Sequence, residues 1–190
     1  MSHSRAAESE GYSFKREMLS ILPNLRAFAV SLCGRPDMAD DLVQETIVKA
    51  WTKQSHFQAG TNLKAWLFTI LRNEFYSQMR KKGREIGDPD GLFTERLSSE
   101  PAQNGHMDLD DFRKALNQLP EDQREAIILV GASGFAYEEA AEICHCAVGT
   151  IKSRVSRARK RLSELLGVSG EADYGPDPVT SAATARAFNG

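Results

Sequence analysis

Helical periodicity fills residues 14–84, stops, and returns only after residue 107. Between these blocks "GDPDG" and "SSEPAQNG" supply Gly, Pro, Ser and Asp in loop proportions, with no apolar repeat of period 2 or 3.6. The pattern predicts an all-α fold of two small helical domains joined by a flexible linker. The boundaries that follow are a flexible N-terminus over 1–13, a first domain over 14–85, a linker over 86–107, a second domain over 108–167 and a disordered tail over 168–190. About twenty linker residues at roughly 3.3 to 3.6 Å each reach about 70 Å when stretched, far enough to hold the domains apart.

Within the first block, Pro23 sits where one helix bends or a second restarts, and Pro36 suits the first turn of the next, with Asp37, Asp40 and Asp41 favouring its N-terminus. That helix is expected to reach Lys53. Another begins after Gly60, with Thr61 as its expected cap, and carries Leu63, Trp66, Leu67, Ile70 and Leu71 inward. In the second block, Phe112, Ala115, Leu116 and Leu119 share one helix face and Pro120 opens the next helix.

The 190 residues are 41% hydrophobic, enough for a real core in each domain. No run of about eighteen apolar residues exists to span a bilayer, and the start "MSHSRAAESE" lacks the apolar segment of a secretory signal, so the expected location is cytoplasmic with no membrane partner. Three cysteines give no disulfide framework. "CHC" over Cys144, His145 and Cys146 lacks the Cys-x-x-Cys knuckle and second ligand pair of a structural zinc site, so buried thiols at a helix end are the better account and no metal or other cofactor is expected. Phosphate-binding glycine loops are missing too, and the few histidines form no nucleophile set, so the chain does not read as an enzyme.

Charge is the second informative feature. The net formal charge is only −2, yet "AVGTIKSRVSRARKRL" gathers Lys152, Arg154, Arg157, Arg159, Lys160 and Arg161 into one stretch. Wound as a helix, Val148, Ile151, Val155, Ala158, Leu162 and Leu165 form one apolar stripe, and Gly149, Thr150, Ser153, Ser156, Arg157 and Lys160 fall opposite. Short donors near the N-terminal end and thickening cations beyond suit a helix in a major groove. With the alanine-rich "AYEEAAEIC" just before it, the pair reads as a helix-turn-helix.

"GFAYEEAAEICHCAVGTIKSRVSRARKRL" resembles the DNA-binding end of extracytoplasmic-function sigma factors, with "VGT", "KSR" and "RAR" in the family's order. Upstream, "DMADDLVQETIVKAW" looks like their polymerase-binding helix, and "NLKAWLFTILRNEFYSQMRKKGR" looks like the helix that engages the downstream promoter element. The resemblance covers about residues 14–166. Within it, "RNEFYSQMRKK" and "GFAYEEAAEIC" are similar to the alphaproteobacterial general-stress-response (EcfG-type) group. Two positions depart: His145 stands in the turn where the family usually has glycine, and Ala136 stands where a serine often caps the helix.

The resemblance implies a non-catalytic sigma factor that binds core RNA polymerase and directs initiation at stress-response promoters. It implies sigma region 2 over 14–85 and region 4 over 108–167. Lys152, Ser153, Ser156 and Arg157 are then nearest the bases of the −35 element, with Thr150, Arg154, Lys160 and Arg161 on phosphates. For the −10 element, Arg72, Asn73, Tyr76 and Arg80 combine aromatic, amide and cationic groups suited to unpaired bases, with Phe68 either on that outer face or in the core. Asn62 and Lys64 are placed at a flipped-base pocket by analogy with the family. Asp41, Gln44, Val48 and Trp51 point outward by helix geometry, and the resemblance assigns them to the clamp coiled coil of the polymerase. It further implies an anti-sigma protein as partner, released by a response regulator that carries a sigma-like decoy. The alternative function, that this chain is itself such a decoy and binds no promoter, requires a receiver domain for which the residues after Gly167 offer no room.

Overall fold

The computed structural model describes residues 2–58, 60–86 and 109–167, with side chains described over 14–58, 60–84 and 111–167. Helix α1 spans Ser2–Cys33, α2 Pro36–Thr52 and α3 Leu63–Ile86, with a single 3₁₀ turn Gln54–His56 after α2. In the second half α4 spans Leu109–Asn117, α5 Glu121–Ile127, α6 Tyr137–Cys144 and α7 Val148–Leu166. The described residues contain no strand. None of their helices is long and apolar enough to cross a membrane. The linker expected over 86–107 and the tail over 168–190 fall outside the described residues, save for Ile86, which ends α3.

Local chemistry explains the helix limits. Pro36 occupies the first turn of α2, where its missing N–H costs nothing, and Arg35 before it is extended. Pro23 lies inside α1, which continues past it rather than restarting. The same helix runs back through residues 2–13, where the sequence reading placed a flexible start. Propagating an existing helix gains one hydrogen bond for each residue fixed, and Ala6, Ala7, Glu8 and Glu10 are good helix formers. At the start of α3 the expected cap is corrected: Asn62 Oδ1 accepts the Ala65 N–H at 3.0 Å, while the Thr61 hydroxyl donates to the Gln58 carbonyl at 2.8 Å. Asn62 is one residue nearer the helix and reaches its N3 donor.

Region-like halves are visible, but they share one core. Helices α1, α2 and α3 pack on one another, and α7 is cradled by α4, α5 and α6. Leu25, Phe28, Leu42, Leu67, Phe68 and Leu71 are fully buried in the first half, and Leu129, Ile143, Ile151 and Val155 in the second. Helix α3 then lies against α6, and α1 against α5. Phe68 is the hinge pin of this contact. Sequence periodicity left it between the outer face and the core; it is 0% exposed, stacked on Phe28 at 5.0 Å between centroids and edge-on to Phe135 of the other half at 4.9 Å.

After α5 the backbone widens into a π turn over Ile128–Ala132, in which the Ser133 N–H donates to the Ile128 carbonyl at 2.8 Å. Gly134 follows at φ 71°, a left-handed position that a glycine adopts without strain. Together they throw Ser133 and Phe135 toward α3.

Candidate nucleic-acid interface

The basic helix is built as its pattern demands. Ile151, Val155, Ala158 and Leu162 are buried against the second half. Lys152, Ser153, Ser156, Arg157, Lys160 and Arg161 are exposed on the other side. A Cβ placed on Gly149 would meet nothing within 4 Å, so the entry to α7 is open. A left-handed backbone at His145, φ 53° and ψ 47°, makes the turn between α6 and α7. Its N–H donates back to the Glu142 carbonyl at 3.2 Å, and that of Cys146 to Ala141 at 3.0 Å, a C-terminal closure normally assigned to glycine.

The exposed groups are not equivalent. Arg157 and Lys160 meet no carboxylate among the described residues. Ser153 Oγ donates to the Thr150 carbonyl at 2.9 Å, and Lys152 Nζ stands 5.8 Å from the Tyr137 ring centroid. Arg161 pairs with Glu164 one turn on, at 3.3 Å with both side chains about half exposed, a pair water screens almost entirely. Arg154 is different. Its side chain is 24% exposed and its Nε lies 3.1 Å from Asp122 of α5, so it braces α7 on its own half. Position 154 flanks the apolar stripe rather than facing away from it, which brings the guanidinium within reach of α5.

Helix α2 carries the second exposed surface. Asp41, Gln44, Val48 and Trp51 follow at steps of three and four, all exposed; Val48 is 65% and Trp51 45% exposed. Val48 and Trp51 are, with Leu19 of α1, the large apolar side chains left open among the described residues. The helix behind them is fixed by Leu42, Val43 and Ala50 in the core and by Lys49, which pairs with Glu74 of α3.

Helix α3 carries the third. Asn73 and Arg80 are exposed, as expected. Asn62, Lys64, Arg72 and Tyr76 are instead engaged by the second half. Asn62 Nδ2 donates to Glu139 Oε1 at 2.6 Å. Lys64 Nζ donates to the Ser133 carbonyl and stands 4.8 Å from the Phe135 ring centroid. Arg72 grips Glu125 with Nε at 2.7 Å and Nη2 at 3.3 Å, Glu125 being 1% exposed. Its guanidinium also lies 4.7 Å from the Tyr76 ring centroid. Burial lowers the Lys64 pKa. Burial opposes the Arg72 charge as well, but the Glu125 carboxylate outweighs it and the pKa stands above its ordinary value. The Tyr76 hydroxyl is pushed up by burial and by Glu125 and Glu121.

Glu125, Ser133, Phe135 and Glu139 thus meet the predicted residues of α3 and its cap, contacts that the sequence reading did not find. One signal existed: Glu125 is a lone carboxylate entering the apolar run "AIILV", and a buried charge needs a partner. Ser133 acts through its backbone carbonyl, which no side-chain pattern reveals. Among the described residues no group of three or more His, Cys, Asp or Glu is placed to hold a metal ion. Cys144 is buried at the end of α6, and Cys33 and Cys146 are half-buried.

Comparison with known families bears directly on this arrangement of α2, α3 and α7. Residues 18–85 match the model for sigma-70 region 2, and residues 109–162 match that for sigma-70 region 4. The chain is 58% identical over 170 residues to the ECF RNA polymerase sigma factor EcfG of Rhodopseudomonas palustris, covering 90% of this chain and 94% of that one. The chain belongs to the extracytoplasmic-function sigma factors. This sigma factor is also 35% identical over 143 residues to the sigma factor SigC of Mycobacterium tuberculosis, covering 75% of this chain and 73% of that one. Among solved structures it is similar to the sigma factor RpoE of Bartonella quintana, crystallised with the anti-sigma factor NepR. That match has 67% identity and a TM-score of 0.73, covering 83% of this chain and 99% of the other. A likeness in fold alone, at 18% identity and TM-score 0.51, extends to the anti-anti-sigma factor PhyR from the same organism, of which the match covers 50%. The sigma factor therefore serves promoter-directed transcription initiation, region 2 being built from α1 to α3 and region 4 from α4 to α7.

Proposed function

We propose that this sigma factor brings core RNA polymerase to stress-response promoters by dividing the work among its three surfaces. The observation that carries this reading is the contrast between α7 and α3. Helix α7 exposes short hydroxyls and dense cations, Ser153, Ser156, Arg157 and Lys160, over a buried stripe. Such a surface suits a duplex major groove: Arg and Lys take guanine or phosphate oxygens, and the hydroxyls fit close to base edges. Helix α3 carries Lys64, Arg72, Asn73, Tyr76 and Arg80, with Asn62 capping its start; the amides offer both a donor and an acceptor and the ring a stacking face. That set suits unpaired bases. Region 4 accordingly docks on the −35 duplex, while region 2 captures the strand freed at the −10 element.

The open stripe Asp41, Gln44, Val48 and Trp51 on α2 takes the clamp of the core enzyme, its apolar members supplying the buried area and its polar ones the register. The sigma factor acts in the cytoplasm and has no catalytic centre of its own, the chemistry of RNA synthesis belonging to the polymerase. An anti-sigma protein of the kind bound by the Bartonella relative controls it. Transcription reconstituted from core polymerase and this chain, with start sites read by sequencing, tests the proposal. Initiation at a shared pair of upstream sequence elements is the expected result. Promoter-independent initiation, or no binding to core, overturns it.

A further inference from the structure

Where the end of α1 meets α4 and α5, a cleft of about 40 Å³ has Val30, Leu116 and Ile128 as apolar walls and Arg113 and Arg124 as its cations. None of the described residues that line it carries a carboxylate. Guanidinium groups set against apolar walls are costly unless an anion or water answers them. Arg124 shows the deficit. Its Nη1 reaches the Asn117 carbonyl at only 3.4 Å, and its buried Nε has no hydrogen-bond acceptor among the described residues. Glu125, the next residue along, turns instead to Arg72 of α3. Burial lowers the Arg124 pKa, against the opposing pull of Glu121 and Tyr76. The other polar groups narrow the choice of donors. Ser31 Oγ gives its proton to the Phe28 carbonyl at 2.6 Å, and the Gly34 N–H goes to the Val30 carbonyl at 2.8 Å. Donors to a guest therefore come from Arg124 and, at the exposed rim, from the Asn117 amide, while Arg113 adds its positive charge.

We propose that this cleft is a binding site for one phosphoryl group, whose oxygens take the buried edge of the Arg124 guanidinium and whose charge lies between Arg124 and Arg113. The space fits. At roughly 10 to 15 Å³ for each ordered water, the cleft has room for about three waters, or for the oxygens around one phosphorus. The planar fork of an arginine matches phosphate geometry, which a lysine ammonium does not. Gly34 and Asn117 are exposed at the rim, so a group attached to the phosphoryl can project into solvent. The ligand is thus either free phosphate or the phosphoryl end of a larger molecule, and both present the same oxygens. Because the walls come from α1 of region 2 and from α4 and α5 of region 4, the occupant touches both regions, and its binding raises the melting temperature of the chain. The site is separate from the exposed cations of α7, none of which lines the cleft.

The test is equilibrium dialysis of the full-length chain against radiolabelled inorganic phosphate at fixed ionic strength. It counts bound ions directly and is not misled by the general stabilisation that phosphate salts give to folded proteins. The parent should bind saturably, with one ion per chain. Arg124→Gln removes the charge and the forked donors together and should weaken binding at least about tenfold. Asn117→Asp sets a carboxylate on the exposed rim without touching the core and should weaken it about threefold. That variant decides the matter where circular dichroism shows that Arg124→Gln folds poorly. Competition with adenosine monophosphate separates the two sources. Displacement of the label at or below the concentration of unlabelled phosphate that does the same assigns the site to a phosphoryl group on a larger molecule, and displacement by phosphate alone assigns it to the free ion. Failure of the parent to bind saturably at millimolar phosphate leaves the cleft to water and overturns the proposal. Equal binding by the parent and the folded variants moves the ion to the exposed cations of α7 and overturns it as well.

Discussion

Glu139 reaches Asn62 across the two halves at 2.6 Å with one carboxylate oxygen and accepts the Ala136 N–H at 2.9 Å with the other. One side chain thus caps α6 and ties it to the start of α3. The cap is half made. Position 136 has the extended backbone of an N-cap, φ −62° and ψ 158°, but an alanine has no oxygen to answer the N–H groups of the first turn. Ala136→Ser supplies it, and because the residue is exposed nothing must move. We expect a gain of about 1 kcal/mol, seen as a higher urea midpoint at unchanged slope. No shift in midpoint would show that water already satisfies those donors.

His145 offers a second stabilising change. Its left-handed backbone crowds the Cβ, and the exposed side chain makes no hydrogen bond or ion pair among the described residues to offset the strain. His145→Gly should raise stability by about 0.5 to 1 kcal/mol, the relief of strain exceeding the extra freedom glycine gives the unfolded chain. Thermal unfolding checks it, with affinity for a duplex upstream element unchanged as the control.

Arg154 and Arg157 sit three residues apart on α7 and should fail differently. Arg157→Ala removes an exposed cation and should weaken binding to the upstream duplex by about 1 to 3 kcal/mol if it reaches a base edge, leaving the melting temperature within error. Arg154→Ala breaks the pair with Asp122 and strips packing from the root of α7, so it should lower stability first. Equal losses of affinity without loss of stability would put both on DNA.

The thiols should differ in reactivity. Burial, reinforced by Asp37, pushes Cys33 up to about 11, and burial together with Glu125 pushes Cys144 up to about 12. A thiol raised in the folded state favours folding fully below its unfolded value, and that contribution is lost as pH climbs through the folded value. Stability should therefore decline between about pH 9 and 12. At pH 8 iodoacetamide should modify Cys146 well before Cys144, as peptide mass mapping would show.

The helices were legible because their signals are local. Pro36, the apolar stripe of α7 and the outward step from Asp41 to Trp51 each declare themselves within a few residues. The family was legible for the same reason, its motifs being short and ordered. What stayed hidden depends on pairs far apart in the chain. Arg72 and Tyr76 look like free nucleic-acid contacts until Glu125, about fifty residues on, is brought beside them, and Arg154 looks like its neighbours until α5 packs under α7. Phe68 could be assigned to neither face because it serves both halves. The π turn was unreadable in "ILVGA", since a widened helix differs from an ordinary one only in which carbonyl its N–H groups reach.

Asn73 separates strand capture from the closed packing of the halves. It lies on α3 next to Arg72, but it is exposed and takes no part in the contacts with region 4, whereas Tyr76 is half-buried between Arg72 and the Phe75 ring at 5.2 Å. Replacing Tyr76 would disturb packing as well as the DNA contact proposed for it. Asn73→Ala should change stability by no more than about 0.5 kcal/mol, as other surface substitutions do. If its amide holds a splayed base edge, the loss is about 1 to 3 kcal/mol of stabilisation of the open promoter. The variant should then join core polymerase and recognise the upstream duplex like the parent, yet show weak permanganate reactivity of promoter thymines. A template with a pre-melted bubble should recover much of the lost activity, because the unpairing cost has already been met and the remaining contacts of α3 suffice to hold the strand. Full permanganate reactivity on the duplex template would remove Asn73 from the strand-capturing set.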